Sequence, residues 1–356
     1  MCGPVESRRY GRLEIWHRAQ ARFEATFTVK ERSGAAFLPG MRALLLRVLF
    51  AGESGENIIR CALNRDVKIA LMQGQLVDTK DLDAVRSEVA RIYQELFPSG
   101  RPGFVNETFG WVTDAFAGRY SDFQKIDAKY HDLEHTLQGT LAFARLLWGY
   151  KEASAEPLLT QRAFELGLLA ILLHDTGYLK RRADAGGTGA KYTLVHVSRS
   201  AEFAAGLLKE KGFAPNEIRS IQNMIRCTGV NADLGSIPFA DELERRVGFA
   251  LGTADLLGQM AAPDYIEKLE ILFLEFEESN RYSGKGTGSG LFNSAAELRR
   301  NTPVFWEKYV LPKIENDFIG LYRFLDDRNG RNKYIDRIQA NIARLQQELT
   351  GAVARV

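Results

Sequence analysis

Cysteine is scarce in this sequence. Cys2, Cys61 and Cys227 are scattered, odd in number and form no CxxC pair. That excludes a disulfide framework and a cysteine-built zinc site, and it makes a reducing, cytoplasmic setting the default expectation. Long apolar runs are missing as well. The most apolar early stretch, MRALLLRVLFAG at 41–52, carries Arg42 and Arg47 and falls short of the roughly 20 residues a membrane-crossing helix needs. The first 30 residues mix Arg and Glu without the apolar centre of an export signal, so neither a membrane nor an export route is expected. An excess of one charge is absent too. With 47 basic and 45 acidic residues the net charge is +2, which gives no reason to expect a nucleic-acid partner. Proline is rare, with ten in 356 residues, so helical spacings can run on without interruption.

What is present is helical periodicity, from about Thr79 onward. In DLDAVRSEVARIYQELF, Leu82, Val85, Val89, Ile92 and Leu96 form one stripe; Asp81 is the expected cap, and PSGRPG at 98–103 the expected stop. QRAFELGLLAILLHDTGYL is apolar all round in its second half, as a buried central helix would be. Further helices are expected near 196–212, 214–227, 241–259, 264–279, 294–300, 303–326 and 331–350. The last carries a short heptad seam of Ile335, Ile338, Ile342, Leu345 and Leu349, suited to packing on the body or to a homodimer contact. No alternating β-branched run after residue 75 demands a sheet. The expected fold class is all-α, a helical body over 79–356 preceded by a poorly defined extension at 1–78. That extension holds an isolated surface residue, His17, and Met41 or Met72 could be the natural start. The glycine-rich SGKGTGSG at 283–290 lacks the glycine a phosphate loop needs at 279, which is Ser279. It reads as a flexible loop in which Lys285 could close over an anion.

Four of the five histidines fall between 131 and 196. In KYHDLEHTLQGT, His131 and His135 are four apart, one turn along a helix face. His174 and Asp175 are adjacent at the end of the apolar helix, and Asp255 lies inside another apolar stretch, LGTADLLGQM. A carboxylate buried in an apolar helix is costly unless something neutralises it, and a metal ion does so. HDLEH also satisfies the H-x-x-E-H pattern of zinc peptidases, with Glu134 as base; otherwise Glu134 reads as solvated surface. A metal-free helical regulatory or interaction protein with a vestigial site is the other alternative. The run Lys180, Arg181, Arg182 is either a solvated face or an attractor for phosphate.

Histidine, then His-Asp, then a distant Asp resembles the HD-domain metal-dependent phosphohydrolases over roughly 110–280, with Tyr130-His131-Asp132-Leu133-Glu134-His135 similar to the first motif of their phosphodiesterase branch. The resemblance implies a helical bundle with core at about 110–280, and His135, His174, Asp175 and Asp255 as ligands of a divalent ion (Mn, Fe, Co, Ni, Zn or Mg). It implies hydrolysis of a small phosphomonoester or phosphodiester, such as a nucleotide, by a metal-activated water. Asp175 would orient that water and His131 protonate the leaving group, with Lys180 and Arg181 at the substrate and His196 binding phosphate or a second metal. Asp132 stands where the phosphodiesterases have asparagine, which argues against a cyclic nucleotide. Arg226, Cys227 and Thr228 stand where two-metal relatives place a histidine, which argues against a dinuclear centre. The Glu-Asp pair of the alarmone hydrolases is missing after HDTGYLK.

Overall fold

A computed structural model describes residues 77–229, 232–283, 292–327 and 329–353. The extension before residue 77, with His17, Met41 and Met72, and the loop carrying Lys285 lie outside the described residues. Among the described residues there are ten α-helices and no strand; only two isolated bridges, Phe123 with Arg181 and Asp326 with Asn332, pair extended backbone. The expected all-α class is what the structure shows. None of these helices is long and apolar enough to cross a membrane.

The helices follow the sequence signals closely. In α1 (Leu82–Leu96), the Asp81 carboxylate accepts the backbone N–H groups of Asp83 and Ala84, and the stripe from Val85 to Leu96 is buried. After α2 (Phe104–Phe116) come the two helices that hold the first part of the site, α3 (Leu133–Glu152) and α4 (Gln161–Leu173). Every residue of α4 from Phe164 onward is buried, so it is the central helix its composition indicates. Helices α5 (His196–Glu210) and α6 (Pro215–Arg226) pack on each other, and α6 also lies against α4. Helix α7 (Glu242–Met260) packs on α3 more extensively than any other pair, and touches α4 and α6 as well. Helices α8 (Tyr265–Tyr282), α9 (Ala295–Phe305) and α10 (Lys333–Val353) close the remaining side.

The close approach of α3, α4 and α7 depends on small residues. A Cβ on Gly258 of α7 would sit 2.7 Å from the backbone of Gln138 on α3, and one on Gly167 of α4 would meet Val247 at 2.5 Å and Phe143 at 2.6 Å. These contacts draw together the three helices whose ends and faces carry the site.

Two C-terminal expectations resolve differently. The stretch 303–326 is not one helix. Beyond α9 it widens into π-type turns at Trp306–Val310 and Lys313–Asp317, turns through left-handed Ile319 (φ 51°) and Gly320 (φ 68°), and ends in a 3-10 turn, Leu321–Leu325. Pro303 and Pro312 each delete a backbone donor, and the turns widen where the regular ladder is lost. The α10 seam packs on the chain's own body. Ile338, Ile342 and Leu345 are buried against α7, α8 and α9, and Asn341 donates to the end-of-helix carbonyls of Met260 and Ala262.

Gly258→Ala should therefore push α3 and α7 apart and lower the unfolding free energy by about 1–3 kcal/mol, the usual cost of overpacking. Urea denaturation checks this; an unchanged midpoint would mean that the helix crossing has slack.

Candidate metal centre

Helix α4 ends at Leu173, and its C-cap His174 keeps helical dihedrals (φ −61°, ψ −27°) while Asp175 departs (φ −107°, ψ 7°). This break at the helix end lets two adjacent side chains turn toward one point. His135 arrives from the first turn of α3, where the Asp132 carboxylate caps the helix by accepting the His135 N–H at 3.0 Å. Asp255 arrives from the buried face of α7.

All four meet. His135 Nε2 lies 3.1 Å from Asp175 Oδ2 and 3.3 Å from Asp255 Oδ1; His174 Nε2 lies 3.2 Å and 3.5 Å from the same two oxygens. Four donors held about 2.0–2.2 Å from one ion sit about 3.0 Å apart at right angles and about 3.4 Å apart at tetrahedral angles. Three of the four observed spacings fall in that range, and the fourth, 3.5 Å, lies at its upper edge.

Hydrogen bonding sets the ring orientations. His174 Nδ1 faces the Ile171 carbonyl at 2.7 Å, so it must donate, which leaves Nε2 of the neutral ring with a lone pair directed at two carboxylates. His174 Nε2 and Asp175 Oδ2 are both buried, 3.2 Å apart, yet neither makes a hydrogen bond. Burial by itself would depress the His135 pKa, but the close contact and negative charge of Asp175 and Asp255 outweigh it and raise the pKa to about 9. The same opposition, won by Asp175, lifts His174 well above the usual imidazole range. Burial would raise the two carboxyls, but the imidazoles hold both below the ordinary range. The cluster thus demands positive charge between its members, and imidazole and carboxylate donors suit a divalent transition metal. The donor set, its spacing and the two orphaned atoms fit such an ion.

The remaining expected residues are placed as follows. His131 precedes α3 instead of riding on it, because Asp132 takes the extended capping position (φ −101°, ψ −172°); its ring still lies 5.3 Å from that of His135. With His135 and Asp175 it forms a second group of candidate ligand atoms, all within 4.8 Å of one another. His196 opens α5, with Nδ1 on the Thr193 carbonyl and Nε2 3.8 Å from Asp175 Oδ1; burial lowers its pKa. The hydrogen bonds and ion pairs of the two basic residues run elsewhere. Lys180 is buried, tied to Asp127 at 2.9 Å and to the Gly187 carbonyl at 2.6 Å, while Arg181 is exposed beside Asp122 and over the Phe123 ring. Glu134 is not solvated surface: it pairs with Lys268 at 2.9 Å and accepts from Gln138 at 3.1 Å.

Two participants carry no motif. Glu275 of α8 is buried and accepts from His131 Nδ1 at 2.6 Å and from the backbone N–H groups of Lys129 and Tyr130. Against the upward push of burial, the His131 ring and these donors lower its pKa. Its one sequence signal is phase, since it falls in the stripe Tyr265, Leu269, Leu272, Glu275, Ser279. Tyr178, fully buried, is stacked between His131 (4.4 Å between ring centroids) and His196 (4.8 Å).

The model of the Npun_R2479-like family matches residues 82–348. The chain belongs to the Npun_R2479-like family. The Npun_R2479-like match takes in all four convergent side chains as well as His131, His196 and Glu275. No curated protein matches the chain.

The titrations give a test in the ion-free protein. A folded-state pKa near 9 for His135, above the ordinary 6.5, means that its proton contributes stability in full below pH 6.5 and that this contribution fades as pH rises through 9. Chelator-treated protein should lose stability between about pH 6.5 and 9. Saturating Mn(II) or Co(II), which replaces the proton, should flatten the profile. Thermal melts across that range check both; identical profiles with and without ion would contradict the cluster's charge demand.

Proposed function

We propose that the chain is a metal-dependent phosphohydrolase of the HD type, acting on a small phosphoester such as a nucleotide in the cytoplasm. The observation that carries this reading is the convergence of His135, His174, Asp175 and Asp255 with ligand atoms 3.1–3.5 Å apart. The resemblance of the His, His-Asp, Asp order to that superfamily supports it, and the helical architecture agrees with it.

The four side chains would hold one divalent ion. Such an ion supplies charge neutralisation for phosphoryl oxygens and lowers the pKa of water. Asp175 uses Oδ2 toward the ligand cluster and keeps Oδ1 toward His196, where it can accept from and orient the attacking water. His131 is poised as general acid by position: the Glu275 carboxylate holds Nδ1 at 2.6 Å, and the ring lies beside the ligand cluster. His196 reaches the same space through Nε2; with Nδ1 donating to the Thr193 carbonyl, the neutral ring presents a lone pair there that can accept from the attacking water. The peptidase alternative needs Glu134 at the ion, and its partners are Lys268 and Gln138.

Protein loaded with Mn(II) or Co(II) should hydrolyse a chromogenic phosphodiester or phosphomonoester. Asp255→Asn should lose both ion and turnover. His131→Ala should keep the ion and lose turnover by about 10²–10⁴-fold, the range for removing a general acid. Full ion occupancy without hydrolysis of either ester class would remove the hydrolase reading. Peptide cleavage abolished by Glu134→Ala would put the peptidase in its place.

A further inference from the structure

His174 and Asp175 stand at the mouth of a loop, and the groups that hold this loop come from α5. The Ser200 hydroxyl, fully buried, accepts the Gly177 N–H at 2.8 Å. The neighbouring Arg199 uses its guanidinium as a fork: Nε donates to the Gly177 carbonyl at 2.7 Å and Nη2 to the Leu179 carbonyl at 2.6 Å. Three polar backbone groups of the short segment 177–179 are thereby claimed by two consecutive side chains of one helix. The fit is tight, since a Cβ on Gly177 would lie 2.0 Å from the His196 carbonyl oxygen.

Arg199 is itself fixed. Its guanidinium carbon lies 3.5 Å from the centroid of the Tyr192 ring, and the Tyr192 hydroxyl donates to Asp184 at 2.5 Å. Among the described residues no carboxylate lies within ion-pair distance of it, so the cation is committed to two carbonyls and an aromatic face. A planar, two-pronged donor stacked on a ring suits that task, and an ammonium reaches one carbonyl at a time.

The segment Arg199 grips connects everything on this side of the site. It begins two residues after Asp175, and it contains Tyr178, whose ring spaces His131 from His196. Arg199 also lies one turn after His196 on the same helix, so a rigid link between α5 and the loop keeps His196 Nε2 facing Asp175 Oδ1.

We infer that Arg199 is a positioning residue of the metal centre, which acts on the ion through the Gly177 and Leu179 carbonyls by fixing where Asp175 points. The inference rests on the metal reading of the preceding subsection. Changes in groups that orient ligands typically weaken metal affinity by about 10–100-fold.

Competition against a chelating dye, with Mn(II) or Co(II) as probe and circular dichroism to verify folding, tests it. Arg199→Ala should weaken ion binding about tenfold or more, Arg199→Lys should fall between it and the wild type, and guanidinium at low, non-denaturing concentration should restore affinity to Arg199→Ala alone. Should Arg199→Ala not fold, Arg199→Lys decides: weakened binding supports the inference and wild-type affinity overturns it. Wild-type affinity in Arg199→Ala, or a loss in it that guanidinium leaves untouched, also overturns it while the metal reading stands. A wild-type chain that binds no ion removes both.

Discussion

Two carboxylates in the interior face the Nε2 atoms of two imidazoles. Asp175 and Asp255 are 2% and 8% exposed, and His135 and His174 are 4% and 1% exposed. With neutral rings this is two negative charges in a low-dielectric core, at a cost of several kcal/mol per ion unless positive charge sits among them. Protons can supply that charge, and the upward shifts of both histidines are that outcome. A divalent ion supplies it with one particle and also satisfies the orphaned His174 Nε2 and Asp175 Oδ2.

The fold is arranged to bring these four groups to one point. Helices α3 and α7 cross at Gly258 and α4 wedges against them at Gly167, so three ligand-bearing segments approach more closely than larger residues would permit. Around them a layer of supporting groups fixes direction: the Ile171 carbonyl behind His174, Glu275 behind His131, and the Thr193 carbonyl behind His196. Gln259 links two parts of this layer, accepting from the Tyr130 hydroxyl and contacting Asp255. The glycine-rich stretch 181–193 is drawn into the same structure, with Gly189 donating to Asp127, Thr188 bonded to Glu278, and Lys191 paired with Asp184.

His174, Asp175 and Asp255 were readable as candidates because each violates a local rule, and His135 was drawn in only by their company. His-Asp at the end of an all-round apolar helix and Asp255 inside another are expensive residues in expensive places. Glu275 was not legible in the same way. Helix α8 carries Glu267, Glu270, Glu275, Glu277 and Glu278, and one-dimensional composition does not say which of five acids turns inward. Lys180 and Arg181 illustrate the same limit, since two neighbouring basic residues point to opposite environments. The helices were readable where an apolar stripe and a cap agreed, as at Asp81. Between 303 and 326 apolar spacing persists, but Pro303 and Pro312 remove the donors a regular helix needs, and the backbone follows the hydrogen bonds.

The proposed function returns to a single cation between four side chains. Anomalous diffraction from crystals grown with Mn(II) or Co(II) tests this most directly. One strong peak is expected about 2.0–2.3 Å from His135 Nε2, His174 Nε2, Asp175 Oδ2 and Asp255 Oδ1 together. A well-ordered site with no peak there, its imidazoles hydrogen-bonded to the carboxylates as protonated rings, would contradict it.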